Sequence, residues 1–224
     1  MDPAALRAPF DAPGRTDLTV GLEEELMLLD AETLDLAPRA PELLATLAGD
    51  PRFKAEMPAA QIELVSAPAT TVAAAAAVLA GARADLLAAG AGRTLAAGAG
   101  THPFAAAEGV LNEGPRYERI QAEYGAVARR QLVFGLHVHV AVTGADRALA
   151  VHDALRGHLP LLAALAANAP FHAGRDTGLA SMRPKISEQL PRQGVPPALG
   201  SFDAYAAELG WGAAAGAVAE PRLW

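Results

Sequence analysis

The chain has 224 residues and a formal net charge of −7, with 18 Lys and Arg against 25 Asp and Glu. Because nucleic acids and anionic membranes attract basic surfaces, this balance argues against a general nucleic-acid or membrane-surface binder. Hydrophobic residues make up 52% and aromatic residues 5%, a globular composition in which alanine supplies much of the apolar surface. The absence of cysteine excludes disulfides, zinc–thiolate sites and thiol nucleophiles.

The N-terminal residues 1–15 have no apolar segment followed by a cleavage site, so they do not resemble a signal peptide, and we predict a flexible leader there. The longest apolar run, Val72 to Ala82, is too short to span a bilayer and is followed by Arg83 and Asp85. We therefore expect a cytoplasmic protein without a membrane partner.

The first predicted strand, Thr16 to Leu29, alternates apolar and polar residues. One face carries the apolar side chains and the other carries Glu23 and Glu25, which is typical of a half-buried strand. Glu24 falls on the apolar face, so we expect it at an edge or in an ion pair.

The bounds of the elements that follow are predicted from helix-capping residues, from helix-breaking glycine and proline, and from the alternation of apolar and polar residues. Further strands are predicted at 60–66, 94–97 and 131–142, and helices at 41–48, from Thr70 or Thr71 to 89, 115–129, 145–157, 160–167 and from 201. The strand at 131–142 has an unbroken apolar face of Leu132, Phe134, Leu136, Val138, Val140 and Val142. Residues 168–200 are expected to be irregular. The pattern predicts an α+β fold, with helices packed on the apolar face of an antiparallel sheet.

Three of these strands place potential ligands two residues apart, where side chains share a face. The pairs are Glu23 with Glu25, Gln61 with Glu63, and His137 with His139. Taken alone, a pair that contains glutamate also fits a solvated strand face. The histidine pair alone also fits an exposed strand face, or core histidines whose ring nitrogens are hydrogen-bonded within the protein. Together they predict a lined cavity for Mg²⁺ or Mn²⁺ carrying a phosphate, because carboxylate and imidazole without thiolate suit these ions.

Phosphoryl transfer at such a site needs cationic groups that neutralise developing charge. Arginines in the segments 174–178 and 181–185 are candidates, although an ordinary solvated loop explains them equally well. The sequence has no phosphate-binding P-loop and no glycine-rich dinucleotide motif.

Five ordered motifs resemble the type 2 glutamate–cysteine ligases, also called the carboxylate–amine ligase family. They are Gly21-Leu22-Glu23-Glu24-Glu25, Gly100-Thr101-His102-Pro103-Phe104, Asn112-Glu113 with Arg116-Tyr117, Phe134-Gly135-Leu136-His137-Val138-His139-Val140, and Asn168 to Phe171 through Gly174 to Gly178 and on to Ser181 and Arg183. The Gly-x-His-x-His element also resembles the metal strand of glutamine synthetase. The resemblance implies a glutamine synthetase-like fold, here as an incomplete barrel, with residues 16–224 forming the N-terminal portion of a catalytic domain.

The resemblance also implies an ATP-dependent reaction. A glutamate side-chain carboxylate would become an acyl phosphate, from which an amine such as that of cysteine displaces phosphate. The implied Mg²⁺ ligands are Glu23, Glu25, Glu63 and His137. His139 would lie close to the phosphates, Arg183 would be the catalytic contact to phosphate or carboxylate, and Thr101, His102 and Arg175 would bind the amino acid.

Family members continue beyond the position of Pro221 to Trp224, with further strands that carry glutamate and arginine. We therefore expect only part of the active site here, with weak or absent turnover. Two alternatives stay open. One is a non-catalytic remnant that binds metal or nucleotide and forms homo-oligomers through an open sheet edge. The other is a metal-dependent phosphohydrolase.

Overall fold

The computed structural model describes residues 2–12, 16–190 and 193–216. Its strands are β1 Val20–Asp30, β2 Phe53–Ala55, β3 Gln61–Val65, β4 Thr94–Ala97, β5 Leu136–Val140, β6 Phe171–His172 and β7 Arg175–Asp176. Its helices are α1 Pro3–Asp11, α2 Ala40–Thr46, α3 Val72–Ala89, α4 Pro115–Tyr124, α5 Ala126–Arg129, α6 Ala145–Leu155, α7 Leu159–Leu165, α8 Arg183–Ser187 and α9 Phe202–Ala214, with a 3₁₀ turn at Arg156–His158.

The chain divides into two compact units. The sheet unit comprises Thr19–Val140 and Ala166–Gly194, and the helical unit comprises Met1–Leu18, Ala141–Leu165 and Val195–Trp224. The predicted ligand residues all belong to the sheet unit.

Strand β1 is the centre of the sheet. It pairs antiparallel with β3 along one edge. Along its other edge it pairs antiparallel with β5 in its N-terminal half and with β4 in its C-terminal half, and β2 extends the sheet beyond β3. The register places Glu25 opposite Glu63 and Glu23 opposite His137. The predicted antiparallel sheet is confirmed, and its register brings the ligand pairs of three strands together.

The two faces of β1 divide as the alternation predicts. Leu22, Leu26 and Leu28 are buried in a core that also contains residues of β3 and α3. Glu24 lies on this face and is paired with Arg83 of α3, whose Nε donates to it over 2.7 Å. The expectation of an ion pair at this position is therefore confirmed.

Helix α3 covers the apolar face of the sheet. Thr71 caps it by accepting from the backbone N–H of Ala74, as the sequence predicted, and the helix ends at Gly90. By length and composition alone this 18-residue helix could cross a membrane. Its buried residues recur at helical spacing and pack on the sheet; they are Ala75, Leu79, Ala82 and Leu86.

Several parts of the sheet unit differ from the prediction, which also did not include β2. The strand expected at 131–142 is confined to β5, Leu136–Val140. The apolar side chains of β5 are half or more exposed because α3 packs on β1, β3 and β4 instead, whereas Leu132 and Phe134, which precede the strand, are buried. The helix at 115–129 breaks at Gly125, whose φ of 53° is incompatible with a continuous right-handed helix. The segment expected to be irregular contains the β6–β7 hairpin and α8.

In the helical unit, α1 occupies Pro3–Asp11 of the segment 1–15, for which we predicted a flexible leader, and residues 1 and 13–15 of that segment lie outside the described residues. Asp2 caps α1 by accepting from the N–H of Ala4, and Pro3 occupies the first turn, where its missing N–H costs nothing. The helix packs against α6 and α9, with the rings of Phe10 and Phe202 at a centroid distance of 6.0 Å. Short proline-rich segments can therefore be helical when caps and packing partners are present.

The start of α9 is tied to α6 by one carboxylate. Asp153 accepts hydrogen bonds of 2.9 Å from the backbone N–H groups of Leu199 and Gly200. These bonds, with a further one from His152, lower the pKa of Asp153 to about 2. The negative form of Asp153 thus stabilises the entry into α9 at ordinary pH.

Candidate cation and phosphate site

Two groups of potential metal ligands lie on the polar face of the sheet. In each group the ligand atoms lie within 4.8 Å of one another. The histidine cluster consists of Glu23, His137 and His139, and the carboxylate cluster consists of Glu25, Glu56 and Glu63. All four residues predicted as metal ligands from sequence, and His139, therefore take part in one of the two clusters.

The histidine cluster is centred on one carboxylate oxygen. Glu23 Oε2 lies 3.3 Å from His137 Nδ1 and 2.9 Å from His139 Nε2. Burial alone would raise the pKa of Glu23, but hydrogen bonds from His139 and His137 bring it below its ordinary value. Glu23 is therefore a carboxylate at neutral pH, the form that binds cations.

The carboxylate cluster concentrates negative charge in a buried place. Burial raises the pKa of Glu63 to about 7, and a hydrogen bond and charge repulsion from Glu56 add to the effect. Burial also raises the pKa of Glu25, outweighing the charge of His137. Lys54 Nζ lies 3.8 Å from Glu63 and offsets only part of this charge. A divalent cation would relieve the repulsion, and its preference for several carboxylate oxygens matches the cluster.

Glu56 is the member of this cluster that sequence reasoning missed. It lies in the connection between β2 and β3, outside the alternating strand patterns on which the prediction relied. Asn112 supports this connection by donating from Nδ2 to the backbone oxygen of Glu56 over 2.6 Å, and the hydroxyl of Tyr117 donates to Ala55 over 3.1 Å. The Asn112 and Tyr117 motif, noted from sequence without a role, thus presents Glu56 to the cluster.

Gln61 provides a separate indication that a polar group belongs near the carboxylate cluster. It shares a face of β3 with Glu63 and is 2% exposed, yet its Oε1 has no hydrogen-bond partner among the described residues. Burying an acceptor without a hydrogen-bond donor costs free energy. The unpaired Oε1 of Gln61 therefore favours a bound ligand that donates a hydrogen bond to it. Water molecules held by a cation would do so, which fits a hydrated Mg²⁺ ion.

Gly135 marks where the two clusters and Arg183 converge. A Cβ at this position would lie 2.9 Å from Arg183 Nη2, 3.0 Å from His137 Nε2 and 3.2 Å from Glu25 Oε2. A larger residue at this position would force these three side chains to shift. The structure therefore places the guanidinium of Arg183 beside the predicted metal ligands His137 and Glu25. A phosphate bound there could contact it, and the predicted contact of Arg183 with phosphate or carboxylate stays a prediction.

Arg183 is held in place by hydrogen bonds that link three of the motifs described above. Its Nε donates to the carbonyl of Phe134 over 2.8 Å, and the N–H of Phe134 in turn donates to Gly100. The N–H of Gly100 donates to Asn168 Oδ1 over 2.9 Å. A side chain at Gly100 would meet Asn168, Ala169 and Arg183 at 2.9 to 3.3 Å, so this glycine permits the close packing that positions the arginine.

The three residues predicted to bind the amino acid lie in different surroundings. Thr101 is 3% exposed and donates to the carbonyl of Phe171, which anchors the β6–β7 hairpin. The ring of His102 is 5% exposed and has both nitrogens engaged, one accepting from the N–H groups of Phe104 and Ala105 and the other donating to Leu34. Arg175 is exposed on β7. The hydrogen bonds of Thr101 and His102 are made within the chain and support the fold. The predicted roles of all three residues in binding substrate therefore stay predictions.

Comparison with known proteins assigns the chain to a family. The family model described as glutamate–cysteine ligase family 2 matches residues 19–217. A protein of Rubrobacter xylanophilus with the provisional name glutamate–cysteine ligase 2-3 is 40% identical over 194 residues, covering 84% of this chain and 53% of that protein. A similarly named protein of Pseudomonas aeruginosa is 40% identical over 213 residues, covering 92% of this chain and 53% of its own length. The chain spans about half the length of these curated relatives.

A solved structure has the same fold. The crystal structure of a glutamate–cysteine ligase from Francisella tularensis, in complex with AMP, superposes with a TM-score of 0.57 at 14% identity, covering 87% of this chain and 47% of that one. At this identity the similarity concerns the fold alone. The family match over most of the sequence is independent of it, and the chain belongs to glutamate–cysteine ligase family 2.

Proposed function

We propose that the sheet unit binds Mg²⁺ and the phosphates of ATP, and that the whole protein is an ATP-dependent carboxylate–amine ligase that joins glutamate to cysteine or another amine. The observation that carries the proposal is the convergence of Glu25, His137 and Arg183 around Gly135, within a family named for glutamate–cysteine ligases. The AMP bound to the Francisella tularensis structure supports a nucleotide as the ligand.

The arrangement suits phosphoryl transfer to a carboxylate. Bound Mg²⁺ would neutralise phosphate charge, and Glu23, Glu25, Glu56, Glu63, His137 and His139 are the residues that would hold it. Arg183, fixed through Phe134, would offer its guanidinium to a phosphoryl oxygen as charge develops there. The glutamate carboxylate would displace ADP from the γ-phosphorus, and the amine would then displace phosphate from the acyl carbon to leave the amide.

The cation and nucleotide part of the proposal is testable on these 224 residues. In calorimetric titration with a non-hydrolysable ATP analogue, we expect binding that requires Mg²⁺ and that weakens about 10–100-fold in Glu25→Gln. Glu32→Gln is the matched control, because Glu32 is exposed in the turn after β1. Equal binding by the folded chain without Mg²⁺, or by Glu25→Gln, would contradict the proposed site.

The reaction itself is tested on the whole protein. A ligase releases phosphate from ATP only when glutamate and an amine are both present, and one amide forms for each phosphate. Phosphate release that needs neither substrate would favour a metal-dependent phosphohydrolase built on the same cluster. Arg183→Lys keeps the charge but loses the planar donor pattern, so we expect it to lower kcat more than it weakens Mg²⁺ binding.

A further inference from the structure

Strand β5 is paired along only one of its two edges. It pairs with β1 on one side, and no other strand in the described part of the chain pairs with its outer side. Its apolar face is also uncovered, with Leu136, Val138 and Val140 exposed by 62%, 60% and 50%. An unpaired edge beside an exposed apolar face is a surface to which a further strand can add.

The register with β1 determines which backbone groups of β5 point outward. The N–H of Glu25 donates to the carbonyl of Gly135 over 2.9 Å, one position beyond the end of the β1–β5 register. Hydrogen-bonded and non-hydrogen-bonded pairs alternate in an antiparallel ladder, so His137 and His139 also direct their N–H and C=O groups to β1. The residues whose N–H and C=O groups point away from β1 are Leu136, Val138 and Val140.

The sequence of β5 is complementary to itself. Apolar residues and histidines alternate symmetrically about Val138 in Leu136-His137-Val138-His139-Val140. If two copies of β5 pair antiparallel with Val138 at the centre, apolar side chains meet on one face and histidines on the other. Val138 then bonds to Val138 of the second copy, and Leu136 to its Val140, which satisfies every outward N–H and C=O group of the strand.

Strand β5 also lacks the features that usually prevent edge pairing. It contains no lysine, proline or acidic residue, and its register with β1 runs without a bulge. By contrast β2, at the other side of the sheet, has 3 residues and carries the exposed Lys54. The edge of β5 is therefore better suited to pairing than the edge of β2.

We propose that two copies of this chain associate by antiparallel pairing of their β5 strands, with Val138 at the two-fold axis. The two sheets become one, and His137 lies opposite His139 of the second copy, so the histidine clusters become neighbours on a shared polar face. One short strand per copy makes a small interface, below about 1,200 Å² in total, and such interfaces are weak. The inference does not depend on the proposed cation binding or ligase activity.

Sedimentation over a range of concentrations tests the association. The buffer contains EDTA, so that an ion held between histidines of two copies cannot be the cause. We expect a dimer with a dissociation constant on the order of 10–100 µM. Val138→Lys should raise this constant at least about 10-fold, since a charged side chain opposes edge pairing. Val72→Lys is the matched control, because Val72 is a valine with the same 60% exposure at the start of α3.

A second variant tests the backbone contact. Val138→Pro removes an N–H that points away from β1, so the β1–β5 ladder retains its hydrogen bonds while the edge loses a donor. We expect it to weaken dimerisation as Val138→Lys does. Circular dichroism spectra equal to that of wild type verify that the variants are folded.

A single introduced cysteine tests the register. The chain has no cysteine, so Val138→Cys carries one thiol per copy. At the two-fold axis the two Cα atoms of residue 138 would be about 5.5 Å apart, a separation that a disulfide can span. In a glutathione buffer we expect Val138→Cys to form a disulfide-linked dimer at least about 10-fold more readily than Val72→Cys.

Three results would overturn the inference. A folded wild-type chain that stays monomeric up to about 1 mM would show that a second copy does not occupy this edge. A dissociation constant unchanged in folded Val138→Lys and Val138→Pro would place the dimer contact elsewhere. Equal disulfide formation by Val138→Cys and Val72→Cys would exclude the two-fold pairing. All three are measured without metal or nucleotide, so failure here leaves the proposed function untouched.

Discussion

Replacing Glu63 with glutamine should have opposite effects on the metal-free and the Mg²⁺-bound chain. The side chain lies in the carboxylate cluster and is 9% exposed, and its pKa is raised to about 7 by burial and by Glu56. Glu63→Gln keeps the shape but removes the charge and one anionic ligand. The metal-free chain should gain stability, because repulsion is relieved, while Mg²⁺ affinity should fall.

The magnitude follows from the difference between a pKa of about 7 and the ordinary value of 4.5. At 1.36 kcal/mol per pKa unit this difference is about 3 kcal/mol when Glu63 is fully ionised, and screening by solvent reduces it to about 1–2 kcal/mol. Because the native state binds the extra proton between pH 4.5 and 7, the stability of the metal-free wild-type chain falls as pH rises through this window. The gain from Glu63→Gln should therefore appear at pH 8 and vanish near pH 4.5.

Thermal unfolding with and without Mg²⁺ measures both effects. For a chain of this length about 1 kcal/mol shifts Tm by roughly 2–4 °C, so we expect Tm of Glu63→Gln to exceed wild type by about 2–8 °C at pH 8 without metal. Saturating Mg²⁺ should reverse the order, and calorimetry should show Mg²⁺ affinity about 10–100-fold lower in the variant. Glu32→Gln is the control for loss of a charge.

The reasoning would be refuted by a Tm difference that is the same at pH 5 and pH 8, since repulsion could not then be its source. Mg²⁺ affinity within twofold of wild type would show that Glu63 is not a ligand, whatever its pKa. The two measurements address burial and ligation separately.

Three further predictions concern the site, the core and the helical unit. Gly135→Ala should weaken Mg²⁺-dependent binding of the ATP analogue about 10-fold or more with the circular dichroism spectrum unchanged, because its Cβ would displace Arg183; unaltered affinity would contradict this. Leu79→Ala should lower the free energy of unfolding by about 3 kcal/mol, whereas Leu87→Ala on the exposed side of the same helix should cost under about 0.5 kcal/mol. Asp153→Asn should speed amide hydrogen exchange at the entry to α9 at pH 7, and wild type should lose this protection as pH falls from about 4 through 2.

The sequence alone predicted the parts of the site that strand alternation controls. Glu23 and Glu25 project to one face of β1 because successive side chains alternate, and the same rule brings Gln61 and Glu63 to one face of β3. The apolar residues between them define the buried side, which fixes the orientation of the strand. Where one face of a strand is clearly apolar, the opposite face of potential ligands can be predicted without a structure.

The parts that were missed depend on tertiary contacts. Glu56 joins the carboxylate cluster through a connection that Asn112 and Tyr117 hold, and no local period relates it to Glu63. The apolar side chains of β5 were expected in the core, but burial depends on which strands a helix covers, and α3 packs on β1, β3 and β4. Local pattern reports which residues can be buried, whereas packing decides which of them are.

The position of β1 explains how one Glu-x-Glu pair contributes to two chemically different clusters. Glu25 lies opposite Glu63 of β3, and Glu23 lies opposite His137 of β5. Because β3 and β5 lie on opposite edges of β1, each glutamate takes the ligand type of its own neighbour, carboxylate in one case and imidazole in the other.

Exchanging those ligand types is a direct test. In His137→Glu, Mn²⁺ affinity should fall relative to Mg²⁺ affinity, because imidazole nitrogen favours transition metals and a carboxylate oxygen favours Mg²⁺. An unchanged ratio of Mn²⁺ to Mg²⁺ affinity in that variant would show that His137, the cross-strand partner of Glu23, is not a metal ligand.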